Sequence, residues 1–328
     1  MPKASVIVPA FNSETTLAET LLSLLAQSFQ DFEILVVNDG SADSTLEVAN
    51  AFRTDPRIRV LSQANRGLAG ARNTGIDQAR GEYVGFCDAD DVWMPDKLMT
   101  HVNHLDSAPD VGLSFSGSAF IDAQSRPTGL AQKPRLRNIT ARHVLCRNPV
   151  GNGSAAVMRR QALADIAWRP ATESRRDWYF DETFRQSEDI ECWLRLMLTT
   201  DWEIEGVPGL LTGYRVNPEG LSSATERQLA AWELMIAKLR PFNPAFFDAH
   251  LGAARAYQLR YLARRAVSAM DGDNAWPLIR RALASSTRPV FEEPLKSGVT
   301  IAAAAVLRVL GPKPVRCAAR LIASRPGY

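Results

Sequence analysis

Three acidic residues follow one short apolar segment and form the part of the sequence best suited to chemistry. The segment Tyr83 to Cys87 is rich in β-forming residues, and Asp88, Asp90 and Asp91 come directly after it. This pattern predicts a buried strand with carboxylates at its carboxyl end, where ligands bind in open α/β sheets. Carboxylates so close together repel one another unless a cation lies between them, and their hard oxygen atoms suit Mg²⁺ or Mn²⁺. The alternative is an acidic loop that caps the helix beginning near Pro95.

A second acidic pair begins a predicted helix further along the chain. The stretch Ser187 to Leu198 is predicted to be helical, and Glu188 and Asp189 stand at its start. Acids are favoured there because the N-terminus of a helix carries a partial positive charge. The pair could cap the helix or supply a base for proton transfer.

The elements that position the first acidic cluster alternate between strand and helix. Their β-α-β-α-β-α-β order predicts a parallel sheet with helices on both faces. No Gly-x-Gly-x-x-Gly fingerprint follows the first strand, which argues against a dinucleotide-binding oxidoreductase. The predicted strands are 5–9, 33–37, 57–61 and 83–87, and the predicted helices are about 17–28, 44–53 and 67–80.

The rest of the chain mixes strands, loops and helices before becoming entirely helical. The predicted elements are a helix from Pro95 to about Leu105, a strand at 111–121, a loop at 122–138, a helix at 140–147, a strand at 155–158, irregular structure at 165–181, strands at 203–207 and 210–216, and only helices from Glu226 onward.

The composition is that of an ordinary globular protein with an uneven charge distribution. The 328 residues are 46% hydrophobic and 23% charged, with a net charge of +2, so we expect no nucleic-acid partner. From Leu251 to the end, however, 13 Lys and Arg face 4 Asp and Glu, a balance of +9 that leaves −7 for the first 250 residues. A basic C-terminal segment predicts a surface for anionic lipid or another acidic partner.

The cysteines and the hydropathy predict a reduced, cytoplasmic protein. The four cysteines are widely separated and form no metal-like pair. The N-terminus shows no signal-peptide pattern, and no stretch reaches the roughly 18 apolar residues that would span a bilayer.

Five stretches together resemble glycosyltransferase family 2, whose members have a nucleotide-binding GT-A fold. Their order and spacing also match, over roughly residues 3 to 220. The resemblance implies an inverting enzyme of the hexosyltransferase type that takes a sugar from a nucleoside-diphosphate donor, most often a UDP-sugar. The matching stretches are Ser5 to Asn12, Val36 to Ser41, Asn65 to Gly75, Asp88 to Asp91, and Glu188-Asp189 with Trp193.

The resemblance also implies a domain organisation. We expect a GT-A catalytic domain at 1–225, with its nucleotide-binding half at about 1–110 and its acceptor half at about 111–225. Its fold would be a Rossmann-like, mostly parallel sheet flanked by helices. A basic helical region would follow at 226–328.

The resemblance assigns a set of residues to the nucleotide. Asp39 would accept a hydrogen bond from the uracil N–H, although an Asp before Gly40 could simply form a turn. The ring of Phe11 could stack on the base or belong to the core, and Arg72 could bind phosphate or a base carbonyl or be solvated. The complete set is Pro9, Phe11, Asn12, Asp39, Arg72, Asn73 and Asp88.

The metal and the base follow from the two acidic motifs. In the family the residue matching Asp90 holds the metal, while that matching Asp88 contacts the ribose, the metal or both; Asp91 would brace the loop. The metal, Mg²⁺ or Mn²⁺, bridges the phosphates and stabilises the leaving diphosphate. Asp189 matches the base that deprotonates the acceptor hydroxyl, with Glu188 beside it.

Four further residues are expected near the sugars. Trp93 could form part of the acceptor floor and Trp193 could stack on a sugar, although a buried core position is the alternative for Trp93. The remaining expected contacts to the donor sugar or acceptor are Asn152 and Ser154.

One position departs from the family pattern. Many relatives carry a histidine shortly after Tyr-Arg, whereas this chain has Asn217 after Tyr214-Arg215-Val216. Asn217 could offer an amide oxygen to the metal, or Arg215 could hold the diphosphate instead.

Three functions remain compatible with the sequence. The first is a glycosyltransferase that acts on a glycan or lipid-linked acceptor in cell-surface or exopolysaccharide biosynthesis, peripherally at the inner face of the membrane. Basic helices at Ala253 to Val267 and Ala302 to Ile322 could contact that membrane or pack as a bundle. The second is a haloacid-dehalogenase-like phosphatase, since Asp88 to Val92 also fits Asp-x-Asp-x-[Thr/Val]. The third is an inactive sugar-nucleotide-binding subunit.

Overall fold

The computed structural model describes residues 1–171, 173, 176–216 and 225–316. These residues form two compact units. The first comprises 1–144 and 148–216, and the second comprises 145–147 and 225–316. The first unit contains every residue predicted for the site except Asn217, which lies outside the described residues.

The first unit begins with the predicted alternation of strands and helices. All residues of the first two strands are buried, as expected for strands of a parallel sheet that are covered on both faces. The N-terminal strand pairs in parallel with the second and fourth, and the third extends the sheet beyond the second. The elements are β1 (Ala4–Ala10), α1 (Leu17–Leu25), β2 (Phe32–Asn38), α2 (Thr45–Ala51), β3 (Ile58–Ser62), α3 (Gly67–Gln78) and β4 (Tyr83–Phe86).

The other half of the sheet is mixed. Nine strands of the described residues form one sheet in the order β3-β2-β1-β4-β8-β6-β9-β5, with β7 paired to β6. Here β8 is antiparallel to both β4 and β6, whereas β6 and β9 are parallel. The elements are β5 (Val92–Trp93), α4 (Lys97–Ser107), β6 (Val111–Ile121), β7 (Pro127–Gln132), α5 (Ala141–Arg147), β8 (Ala156–Arg159), α6 (Arg160–Asp165), α7 (Glu188–Thr199) and β9 (Glu203–Arg215).

Three segments differ from the sequence prediction. The predicted loop at 122–138 contains the exposed strand β7, and the short helix α6 precedes the irregular stretch. The predicted break between two strands at Pro208-Gly209 is an irregularity inside the single strand β9. Gly209 has φ +113°, which a glycine adopts without steric strain, so the strand bends there and continues.

Helix α3 lies close to the sheet because its inner face consists of small residues. A Cβ atom at Gly75 would overlap the side chain of Ile7 in β1. The predicted Gly/Ala-rich helix therefore brings its polar residues Arg72 and Asn73, both fully buried, to the carboxyl edge of β4.

The second unit is helical, as predicted. Its core lies between α9, α10 and α12 and includes Leu259, Leu262 and Ile279. Among the described residues, no helix has the length and apolar character needed to cross a membrane. The helices are α8 (Thr225–Leu239), α9 (Pro244–Ser268), α10 (Gly272–Ser285), α11 (Arg288–Glu292) and α12 (Pro294–Leu310).

Candidate active site

The acidic loop after β4 is fixed from two sides. The Asp88 N–H donates to Ser154 Oγ at 2.9 Å, beside β8. Asp91 is fully buried, and its Oδ1 accepts the Arg215 N–H at 2.9 Å. The expectation that Asp91 braces the loop is confirmed, and the loop conformation depends on strands that are remote in sequence.

The charges in this loop favour a cation. Burial, and then the neighbouring charge of Asp88, raise the pKa of Asp90 to about 6. Burial and the charge of Asp90 raise the pKa of Asp91, against the opposing effect of hydrogen bonds from Ser154 and the Arg215 N–H. Within that part of the chain, no three His, Cys, Asp or Glu side chains are gathered as a metal cluster. Two carboxylates, completed by phosphate and water oxygens, are nevertheless a usual donor set for Mg²⁺. The residues at this loop therefore fit a divalent ion.

Arg72 joins the two acidic motifs. From α3 its Nη2 donates to Asp88 Oδ1 at 2.8 Å, and its Nη1 donates to Glu188 Oε1 at 2.9 Å. Burial disfavours the guanidinium charge, but the charges of Asp88 and Glu188 outweigh that effect and raise the pKa of Arg72. A Cβ atom at Gly153 would overlap Arg72 Nη2. Glycine at this position thus leaves room for the bridge, and one buried cation connects the residues predicted for donor binding and for catalysis.

Asp189 lies beside this bridge at the start of α7. Its side chain is half-buried, and burial and the charge of Glu188 raise its pKa to about 7. The Arg72 charge and a 2.7 Å hydrogen bond from the Ile190 N–H limit that increase. A carboxylate with a pKa near neutrality can accept a proton at physiological pH, which is what a general base requires.

Asn73 does not have the role predicted for it. Its Oδ1 accepts the N–H groups of Tyr179 and Phe180 at 3.0 and 2.9 Å. Its Nδ2 donates to the Phe180 carbonyl and to Glu182 at 2.8 and 3.0 Å. A fully buried amide with all its groups bonded within the protein is not available to a nucleotide. Asn73 instead holds the segment that leads towards α7.

Asp39 accepts hydrogen bonds that could not be predicted from its position before a turn. Its Oδ1 accepts Gln63 Nε2 and the Arg66 N–H at 2.6 and 2.8 Å, and its Oδ2 accepts the Gly67 N–H at 2.8 Å. It therefore satisfies free donors at the start of α3. A uracil N–H would have to share these oxygen atoms, and that role remains a prediction.

The end of β1 pairs with the end of β2, and Asp39 directly follows β2. Pro9 is buried and pairs with Val37, whereas the Phe11 side chain is 53% exposed and can stack on a ligand. Asn12 fixes the neighbouring turn, because its Oδ1 accepts the Ala42 N–H at 2.9 Å. The structure thus gives the predicted base site an open aromatic face.

Both tryptophans predicted near the sugars belong to the core. Trp193 has no exposed surface, and its ring packs edge-on against Phe180. Trp93 is almost completely buried, and its Nε1 donates to the Ser154 carbonyl at 3.1 Å. Neither ring can stack on a sugar in this conformation, so the predicted sugar contacts are wrong and the core alternative considered for Trp93 holds.

Asn152 and Ser154 differ in what they can offer a ligand. Ser154 is fully buried and uses its hydroxyl to accept the Asp88 N–H. Asn152 donates from Nδ2 to Ser118 Oγ at 2.9 Å, while its buried Oδ1 has no partner among the described residues. Ser154 is therefore a positioning residue of the loop, and Asn152 retains one acceptor.

Arg215 is not free to hold a diphosphate. Its guanidinium donates to the carbonyls of Asp90 and Asp122 at 2.7 and 2.8 Å and to Glu19 at 2.7 Å. A further bond to Ser125 Oγ at 3.0 Å leaves the guanidinium held between the acidic loop and neighbouring parts of the protein. These contacts argue against the alternative role for Arg215.

A buried lysine near the acidic loop was not predicted from the sequence. Lys97 of α4 is fully buried, and its Nζ donates to the Ala155 carbonyl at 3.1 Å and lies 3.3 Å from His101 Nε2. Burial lowers its pKa to about 7. Its only signal in the sequence is a helical spacing of four from His101.

The sequence of the chain is similar to those of known glycosyltransferases. The family model described as "Glycosyl transferase family 2" matches residues 5–167. EpsJ of Bacillus subtilis (strain 168), described as an uncharacterized glycosyltransferase, is 51% identical over 92 residues, covering 28% of this chain and 27% of EpsJ. The glycosyltransferase GlyA of Streptococcus pneumoniae serotype 4 is 46% identical over 90 residues, covering 27% of this chain and 13% of GlyA. These matches span well under half of the relatives.

Solved structures resemble the chain over most of its length. S. aureus TarS 1–349 in complex with UDP-GlcNAc has a TM-score of 0.60 at 22% identity, covering 93% of this chain and 91% of TarS. The mannosyltransferase PcManGT from Pyrobaculum calidifontis, in complex with GDP-Man and Mn²⁺, has a TM-score of 0.57 at 22% identity, covering 94% and 87%. At this identity the likeness establishes the fold, and the predicted GT-A class is confirmed.

Proposed function

Because the chain belongs to glycosyltransferase family 2 through its residues 5–167, we propose that it transfers a sugar from a nucleoside-diphosphate donor to an acceptor hydroxyl with inversion. One observation carries the proposal. Arg72 connects Asp88, predicted to bind the donor, with Glu188, the neighbour of the predicted base Asp189. A single displacement needs the donor and the base at one place, and this bridge supports that arrangement.

In the proposed reaction Asp189 accepts the proton of the acceptor hydroxyl. The acceptor oxygen forms a bond to the anomeric carbon while the bond from that carbon to the diphosphate oxygen breaks. The electron pair of the broken bond leaves with the diphosphate, and the configuration inverts. The pKa of about 7 for Asp189 supports this role, because a substantial fraction of the side chain is ionised at neutral pH.

We propose Asp88 and Asp90 as the residues that would hold Mg²⁺ or Mn²⁺. A bound ion would offset the charge of the leaving diphosphate. The raised pKa of Asp90 supports this assignment, since carboxylates that repel each other gain from a cation. The presence of Mn²⁺ with GDP-Man in PcManGT is consistent with it.

For the donor we propose a UDP-sugar, with Asp39 and Phe11 at the uracil. TarS, which was solved with UDP-GlcNAc, is consistent with this choice. We assign catalysis to residues 1–225, with a nucleotide-binding half at about 1–110 and an acceptor half at about 111–225. The acceptor would be a glycan or a lipid-linked sugar in polysaccharide biosynthesis. The basic region 226–328 would contact the inner face of the membrane, which its charge supports.

The release of UDP from a panel of UDP-sugars, with and without Mn²⁺, tests the proposed function. We expect Mn²⁺-dependent release with one donor and none with Asp90→Ala. Release independent of Mn²⁺ and of Asp90 would contradict the metal assignment, and absence of both UDP binding in calorimetry and UDP release with any UDP-sugar would contradict the donor class.

The two alternative functions are a phosphatase and an inactive sugar-nucleotide-binding subunit. Family membership replaces the phosphatase interpretation. An inactive sugar-nucleotide-binding subunit predicts UDP binding in calorimetry without UDP release or acceptor turnover, so calorimetry with UDP beside the panel distinguishes it.

A further inference from the structure

Helix α12 of the second unit carries several large apolar side chains on its outer face. Leu295, Val299 and Val309 are 80%, 61% and 77% exposed, whereas Ser297 and Thr300 are buried. The inner face of the helix buries Ala304 and Leu307 as well, and the two buried hydroxyls donate to main-chain carbonyls at 2.6 and 2.8 Å. The inner face is therefore already packed, whereas the outer face of a helix in a water-exposed bundle is normally polar rather than apolar.

The outward apolar residues form one continuous stripe, which we call the α12 stripe. They recur at intervals of three and four residues and therefore lie on one helix face. The α12 stripe consists of Leu295, Val299, Ala302, Val306 and Val309, all exposed or half-buried.

A groove between α9 and α12 joins the stripe to basic side chains. Its volume is about 290 Å³, and its apolar lining includes Val267, Leu295 and Val299. Arg264 and Lys296 also line it. Arg264 is exposed and forms no ion pair among the described residues, whereas Lys296 is exposed and pairs with Glu293 at 2.9 Å. Apolar surface bordered by cations is suited to an amphiphilic anion.

We propose that the α12 stripe inserts into the headgroup region of an anionic phospholipid bilayer. Arg264 and Lys296 would then meet lipid phosphates while Leu295 and Val299 reach the upper acyl chains. The inference rests on the proposed membrane role and names the surface that performs it.

Charge favours lipid over a second copy of the chain as the occupant. Two copies meeting through this face would bring Arg264 and Lys296 of each close together, within segments of net charge +9 from residue 251 onward. Such contact is repulsive, whereas an anionic membrane compensates the same charges.

Vesicle co-sedimentation of the full chain tests the proposal. We expect binding to vesicles of phosphatidylcholine with phosphatidylglycerol and little binding to phosphatidylcholine alone. Leu295→Ser combined with Val299→Ser should weaken partitioning by about tenfold or more, because the inserted apolar area is lost. Arg264→Gln with Lys296→Gln should weaken it and reduce its sensitivity to salt.

Leu234→Ser on α8 is the matched control, because Leu234 is 50% exposed outside the stripe. Circular dichroism should show that all variants are folded. Absence of binding to anionic vesicles, or binding unchanged by the stripe variants, overturns the proposal. Self-association in sedimentation velocity that the stripe variants abolish, without vesicle binding, also overturns it and identifies a second copy. Calorimetric UDP binding is measured separately, so loss of membrane binding alone leaves the proposed transferase function standing.

Discussion

Asp189 is the side chain on which the proposed chemistry depends most directly. Asp189→Asn keeps the shape of the residue but cannot take a proton, so donor binding should persist. Sugar transfer should fall by about 10²–10⁴-fold, the usual contribution of a general base. The measurement is acceptor turnover beside UDP calorimetry, with circular dichroism to show that the variant is folded.

The pH dependence of sugar transfer is a second test of Asp189 as the base. Only ionised Asp189 can act as a base, so transfer by the native chain should rise as the pH increases through about 7. The variant should lack this dependence. Near-normal transfer by Asp189→Asn would reject the assignment and make Glu188 the next residue to test.

Asp39 combines a predicted ligand contact with a structural one. Asp39→Ala should weaken UDP binding by about 1–3 kcal/mol, the cost of leaving a buried polar partner unpaired. It should also lower the melting temperature, because the Arg66 and Gly67 N–H groups lose their acceptor. Titration with UDP beside thermal melting separates the effects. A folded, destabilised variant with unchanged UDP affinity would leave Asp39 with its structural role alone.

At the level of helices and strands, the sequence was most informative where apolar runs are continuous. Three of the four parallel strands, β1, β2 and β4, were predictable because each is a short buried run between helical patterns. Strand β7 was missed because all but its last residue is exposed and it has no apolar pattern. The Arg72 bridge could not be predicted, because Glu188 is 116 residues away and only the fold brings them together.

The contact between the turn before β8 and helix α3 leads to a prediction. Gly153→Ala would add a Cβ that overlaps Arg72 Nη2, and the guanidinium must move from its two carboxylates. Transfer should fall by about tenfold or more, since small displacements in a site are costly. Gly298→Ala in α12 is the control, because a Cβ there has nothing within 4 Å. It should leave transfer unchanged and stabilise the helix by about 0.5–1 kcal/mol. Equal transfer by both variants would show that the position of Arg72 is unimportant.

At the scale of the whole molecule, we expect the buried Lys97 to make the free energy of unfolding depend on pH. Burial lowers its folded-state pKa to about 7 from an ordinary 10.5, so between these values the unfolded chain binds more protons. The free energy of unfolding should therefore rise with pH, by about 2 kcal/mol from pH 7 to pH 9.

Denaturant unfolding of the native chain and of Lys97→Met measures this contribution. The variant should lose the increase, because methionine does not titrate. Lys97 contacts His101, Ser116, the Ala155 carbonyl and the Trp93 ring. The charges of Cys87 and Asp91 oppose the effect of burial on its pKa, and burial also lowers the pKa of His101. An identical pH slope in both proteins would exclude Lys97 as its source.

Because of the Arg72 bridge, donor binding and the protonation of Asp189 should influence each other. Arg72 shares its charge between Asp88 and the carboxylates at the start of α7. A donor that changes the Asp88–Arg72 ion pair changes the electrostatic field at Asp189. The proton affinity of Asp189 should therefore change as well. By thermodynamic linkage, protonating Asp189 must change donor affinity by the same factor. UDP-sugar affinity should therefore shift more across pH 6 to 8 in the native chain than in Asp189→Asn, where Asp90, with its pKa of about 6, still titrates. The difference in proton uptake between the two proteins in calorimetry would report how strongly donor binding is coupled to Asp189 before any acceptor arrives.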